Sequence, residues 1–217
     1  MKPAFKRLIP FTFIFIILPS SSFQESTEEI FLKKAGYYLS QDLLDKAIDL
    51  YLEVLKKDPY NFYALINLSS AYIKKGSFYE AYPYLKRLVR KYPERPESWI
   101  NLAVCEIGIG DLRSAMKNLE KAEKLLDCPS FALYLHKGVI FSKMGKLEDA
   151  IRCYKKAELM NPEDPCLIFN IALAYDKKKD YKKAIIYYEM YLKKEVSQEE
   201  KRKVRERIEQ LKLYLGR

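Results

Sequence analysis

A chain of 217 residues has room for one or two domains, and with 49% hydrophobic residues it can bury a substantial interior. Only seven glycines and no long alternating apolar and polar runs exclude a sheet-rich fold, so the composition points to an all-α protein. A net charge of +10, spread along the chain, argues against a nucleic-acid binder, in which cations cluster on one face among stacking aromatics.

The chain opens on Lys2, Lys6 and Arg7, continues through the mostly apolar run from Leu8 to Leu18, and then reads Pro19-Ser20-Ser21-Ser22. A basic start, a short apolar centre and small residues behind it form the layout of a secretory signal peptide, with cleavage near Phe23. Residues 1–22 are therefore read as an export signal, and a periplasmic or otherwise extracytoplasmic protein is expected. An apolar run this short is below the ~17–20 residues that cross a bilayer, which makes an uncleaved anchor the weaker alternative. Phe11, Phe13, Ile14, Phe15, Ile16 and Ile17 leave no polar face, which argues against a surface helix packed on the rest of the molecule. Removing the segment takes away three positive charges and leaves +7.

From residue 23 to 198 one amphipathic two-helix unit is replayed five times, starting at Glu28, Phe62, Pro96, Phe131 and Pro165, with spacings of 34, 34, 35 and 34 residues. The predicted units are 28–61, 62–95, 96–130, 131–164 and 165–198. Three residues after each start stands a large apolar group: Phe31, Leu65, Trp99, Tyr134 and Ile168. Nineteen residues after each start stands an alanine: Ala47, Ala81, Ala115, Ala150 and Ala184. A small residue recurring at one register position implies a close helix–helix crossing. One turn beyond the alanines come Tyr51, Leu85, Leu119, Tyr154 and Tyr188, and Pro59, Pro93 and Pro162 close three units, since a ring without an N–H stops a helix from continuing.

The third unit, with Trp99, Leu102, Ala103, Ala115, Leu119 and Ala122, resembles the tetratricopeptide repeat (TPR) signature. The fourth, with Tyr134, Gly138, Phe141, Gly145, Leu147, Ala150, Tyr154, Ala157 and Pro162, fills most of that signature in order. The resemblance runs from residue 28 to about 198, and five copies in register make it specific. It implies a right-handed superhelical solenoid of antiparallel helix pairs whose first helices line a concave face, and a non-enzymatic role in binding other proteins.

After the last unit, Ser197-x-x-Glu200 spells a capping box, and Val204, Ile208, Leu211 and Leu215 follow at helical spacing, so residues 199–217 are expected to form a capping helix. Lys201, Arg202, Lys203, Arg205 and Arg207 would give it a polar outer face. Contact of that basic face with acidic lipid is compatible with the sequence but not required.

Candidate binding residues come from the first helices. Four residues after each start the chain has Leu32, Ile66, Ile100, Leu135 and Phe169, and one turn further Gly36, Ser70, Val104, Val139 and Leu173. The best-known peptide site of the resembling family clamps a C-terminal carboxylate with lysine, arginine and asparagine on this face. Here Leu, Ile and Phe replace the expected lysine, and Val or Leu stands where a second asparagine belongs. An asparagine row survives as Asn67, Asn101 and Asn170, with His136 in register, and could bond a peptide backbone. The expected groove thus consists of Ile66, Asn67, Ile100, Asn101, Val104, Leu135, His136, Val139, Phe169, Asn170 and Leu173, with Lys74, Lys143 and Lys177 at its rim. The competing reading makes the apolar rows core and the lysines a solvated face.

No nucleophile, base and orienting group share a pattern, because the lone histidine is explained by its repeat register, and neither a phosphate-cradling glycine loop nor a close Cys-x-x-Cys pair is present. No cofactor or metal is expected. Cys105, Cys128, Cys153 and Cys166 have no pairing that suits the expected helix geometry and are expected to be free thiols. The resulting expectation is a non-enzymatic adaptor that holds an apolar or amphipathic peptide or helix segment of another protein in its groove, in a cell-envelope or secretion assembly. The alternative is a self-associating scaffold, a homodimer through the same apolar face.

Overall fold

The computed structural model describes residues 26–216, and the expected signal segment lies outside them. Among the described residues every regular element is an α-helix, and the chain divides into two compact units. The first covers residues 26–127 and holds α1 (Thr27–Ser40), α2 (Leu44–Lys57), α3 (Phe62–Lys75), α4 (Phe78–Lys91), α5 (Pro96–Ile109) and α6 (Leu112–Leu125). The second covers residues 128–216 and holds α7 (Phe131–Lys143), α8 (Leu147–Glu158), α9 (Pro165–Lys177), α10 (Tyr181–Leu192) and α11 (Gln198–Leu215).

Local chemistry sets where these helices begin. Side chains of Asn61, Asp111, Ser130, Asp164 and Asp180 accept hydrogen bonds from backbone N–H groups that have no partner within the first turn. Ser26 with Glu29, and Ser197 with Glu200, close full capping boxes. The turn inside each helix pair has its own repeating mark: Asp42, Gly76, Gly110, Gly145 and Lys179 all have positive φ, between 61° and 99°. Glycine adopts that left-handed conformation freely, whereas Asp42 and Lys179 hold it with a Cβ present.

In the first unit the pairs α1/α2, α3/α4 and α5/α6 pack internally, and α2 and α4 each also pack on the first helix of the following pair. In the second unit α7/α8 and α9/α10 form the pairs, α8 joins α9, and α11 packs on α10. The alanines at 47, 81, 115, 150 and 184 are all fully buried, as their register predicts. The first helices supply a second row of small residues, seven after each start: Ala35, Ser69, Ala103, Gly138 and Ala172, also buried. At Gly138 the crossing is so close that a Cβ would lie 2.3 Å from the ring of Tyr154, itself fully buried.

The terminal helix is seated by Val204, Ile208 and Leu211, each buried at a gain of ~1.5–3 kcal/mol, while Leu215 stays exposed. One residue assigned to its solvated face is not there. Arg207 reaches back to α9, donating from Nε and Nη2 to the two carboxylate oxygens of Asp176 at 2.8 and 2.7 Å, and Tyr188 donates to the same carboxylate at 3.1 Å. Asp176 is buried, and a buried carboxylate needs such a fork of donors.

Candidate functional site

The residues expected to form an open groove separate into two groups. In the first unit, Ile66 and Asn67 on α3 and Asn101 on α5 are half-buried, whereas Ile100 and Val104 on α5 are buried. In the second unit only Leu173 remains half-buried; Leu135, His136, Val139, Phe169 and Asn170 are buried. The expectation that Val104 and Val139 line a solvent-open lane is therefore corrected. A first helix packs on more than its own mate: α3 touches α1, α2, α4 and α5, and α9 touches α7, α8 and α10. Apolar groups on its flanks are enclosed by its mate together with those neighbours; Phe169 is covered from the mate α10, its ring lying 5.1 Å from that of Tyr191 and 5.9 Å from that of Tyr188.

The polar row divides in the same way. Asn170 turns its amide onto its own helix, donating to the Cys166 carbonyl at 2.8 Å, as a helix-interior asparagine does when no outside partner is in reach. His136 is enclosed, and its Nδ1 has no hydrogen-bond partner; burial alone pushes its pKa down to about 4, so the ring is neutral near pH 7. Asn101 keeps its carboxamide half-exposed, with no hydrogen bond to a described residue.

The rim lysines also differ from one another. Lys74 pairs with Asp42 at 2.6 Å across the pair turn. Lys143 and Lys177 are exposed, and Lys177 donates to the Ser142 hydroxyl at 3.5 Å. Partial burial, together with the charge of Lys143, lowers the pKa of Lys177.

All four cysteines are free, and Cys105 is packed inside the first unit with its Sγ donating to the Phe78 carbonyl at 3.1 Å. Burial pushes its thiol up to about 12, so it is an inert packing group at physiological pH. Among the described residues no cluster of His, Cys, Asp and Glu converges on a common point, and no helix is long and apolar enough to cross a membrane.

One recess escaped the sequence reading. Between α4 and α6, with α5 as its floor, lies a cleft of about 610 Å³. Its cations come from two helices, Lys121 lying 31 or more residues beyond those of α4, so no single stretch of sequence displays them together.

Within each unit, paired helices packed on the next pair, with half-exposed polar groups on their first helices, define the helical-repeat architecture of a protein-interaction scaffold. The chain belongs to the tetratricopeptide repeat family: models described as tetratricopeptide repeat match residues 66–127, 131–164 and 167–193, together more than half of it. It is 24% identical over 190 residues to the TPR repeat-containing protein MJ1428 of Methanocaldococcus jannaschii, an alignment covering 78% of this chain and 33% of that protein. The chain thus spans about a third of the length of that curated relative. Among solved structures it is similar to MamA, at 26% identity and a TM-score of 0.59 over 79% of this chain and 97% of that one. It is also similar to PilW, described as a widely conserved type IV pilus biogenesis factor, with a TM-score of 0.75 over 87% of each chain. At 19% identity the likeness to PilW shows a shared fold alone. The family's fold is typically a non-enzymatic platform for protein interaction.

Proposed function

We propose that this protein is an adaptor that holds a segment of another protein against its first-helix face, in an assembly outside the cytoplasmic membrane. The observation that carries the reading is Asn101, a half-exposed carboxamide with no hydrogen bond to a described residue, standing on α5 beside α3, which carries the half-exposed Ile66 and Asn67. A carboxamide offers both donor and acceptor, and a backbone laid across it satisfies both, while Ile66 gives the segment an apolar contact. In the second unit Leu173 offers a contact of the same kind. The buried members of the expected groove support this face from below and do not touch the segment. Export is inferred from the basic, apolar and small-residue layout of residues 1–22.

The test is site-specific photocrosslinking at Ile66 and Asn101 in the native cell, with fractionation of the envelope. A covalent adduct to a second protein in the extracytoplasmic fraction supports the proposal. Adducts only to further copies of this chain would establish the self-associating scaffold in its place. No adduct at either position, or adducts only in the cytosol, would overturn the reading.

A further inference from the structure

The cleft between α4 and α6 gathers Lys86, Arg87 and Arg90 from α4 and Lys121 from α6. Among the described residues none of these four makes an ion pair; Lys34, Lys46 and Arg113 of the same unit make none either, and what distinguishes the four is that they line one cleft, whereas other cations of the unit are neutralised. Lys56 is paired with Glu53, Lys57 with Glu28, Lys74 with Asp42, Lys75 with Asp45 and Arg95 with Glu97. Lys86 and Arg90 are four residues apart on one helical face, a like-charge spacing that disfavours the helix unless an anion lies between them. Lys86 and Lys121 act electrostatically on the Glu106 carboxylate, which lies behind Asn118 in the wall of the cleft. It is buried, accepts a hydrogen bond from the Asn118 amide at 2.7 Å, and has a pKa raised by that burial.

The floor is rigid and apolar. Trp99 donates from its indole nitrogen to the Pro93 carbonyl at 2.8 Å, and Leu102 is buried beside it. Pro83, inside α4, adds a ring that leaves one backbone carbonyl of that helix without its usual donor. Arg87 is held in place by donating to the Pro59 carbonyl at 3.1 Å, while Lys86, Arg90 and Lys121 are exposed.

We infer that this cleft is a second binding site, separate from the first-helix face, for an acidic segment of a partner protein that places one apolar side chain beside the half-buried Trp99 and its carboxylates on Lys86, Arg90 and Lys121. One observation favours an acidic peptide over a nucleic acid, and the volume is compatible with it. The Lys121 ammonium already lies 4.2 Å from the centre of the indole and covers a face on which a base would stack. The volume of about 610 Å³ suits a few side chains between two helices. Four cations around a small apolar floor match alternating carboxylates and one apolar residue, a complementarity that acts mainly on specificity and association rate.

Trp99 is the only tryptophan of the chain, so its emission reports directly on the cleft. The full-length protein is titrated with the blocked peptide Glu-Glu-Leu-Glu-Glu, with Lys-Lys-Leu-Lys-Lys, and with a short oligouridylate. The expected result is a saturable change in Trp99 emission with the acidic peptide only, weakening by about tenfold between about 50 mM and about 300 mM salt. The double variant Lys86→Glu with Arg90→Glu, both exposed, is expected to lose at least about tenfold in affinity at unchanged helicity. Lys46→Glu with Arg113→Glu, the same change in net charge made elsewhere in the unit, retains it. No saturable change, equal affinity in the cleft variant, or tighter binding of the oligouridylate would each overturn the inference. Crosslinking at Asn101 is read independently, so failure of one site does not decide the other.

Discussion

Gly138 and His136 sit two residues apart on α7, and each shows how close packing converts a small chemical change into stability. A methyl group on Gly138 would overlap the Tyr154 ring at 2.3 Å, and neither side of that crossing has room to move. Gly138→Ala should therefore lower unfolding stability by ~1–3 kcal/mol in spite of alanine's better helix propensity. Gly36→Ala is the contrast, because its Cβ would meet only the Tyr51 hydroxyl at 3.9 Å, and it should raise stability by up to ~1 kcal/mol. Denaturant midpoints of the two variants read both effects. His136 has a folded pKa of about 4, below its ordinary 6.5, so the unfolded chain takes up the proton first. Its neutral state supports folding fully above pH ~6.5, and as pH falls toward 4 that support is lost, by about 3 kcal/mol in total. His136→Asn, which installs the residue present at Asn67, Asn101 and Asn170, should flatten this part of the stability profile; an unchanged acid slope would contradict the assignment. The register of both residues was legible in the sequence. That His136 is enclosed was not, because enclosure depends on what the neighbouring helices place over it.

At the scale of the helix, the turns between paired helices were only partly legible. Gly76, Gly110 and Gly145 announce a left-handed residue, but the same conformation at Asp42 and Lys179 has no glycine to mark it and emerges only from the recurring turn geometry. Lys179 is exposed with φ 65°, a conformation that costs a residue with a Cβ ~1–2 kcal/mol, partly offset by the entropy that glycine adds to the unfolded chain. Lys179→Gly should therefore stabilise the second unit by ~0.5–1 kcal/mol, read as a rise in melting temperature of a few degrees; a fall would show that the lysine side chain contributes more than its backbone costs. The first-helix rows show the opposite limit. Their apolar spacing was plain in the sequence, yet spacing alone does not distinguish a side chain facing solvent from one covered by a neighbouring helix, and Val104, Val139 and Phe169 proved to be covered.

At the scale of the whole molecule, each compact unit needs a partner for its last exposed face, and in the second unit α11 supplies it. Ending the chain before Ser197 removes Val204, Ile208 and Leu211 and leaves the Asp176 carboxylate without its guanidinium partner. Because the Arg207 side chain is 37% exposed, loss of the guanidinium costs less than the ~3–5 kcal/mol of a fully buried pair. Hydrogen exchange of such a truncation should show lost protection across α9 and α10, and full retention of protection would mean that α11 is dispensable for the fold.

The sequence by itself determined the period, the helix starts, the alanine crossings and the capping helix, because each depends on residues within a turn or two of one another, where backbone sterics and 3.6-residue periodicity act directly. Only the tertiary structure decided which apolar rows remain accessible, that Arg207 turns inward to Asp176, and that cations from α4 and α6 line one cleft with Trp99. Each of those depends on the distance between side chains on different helices, which is set by how the helices pack.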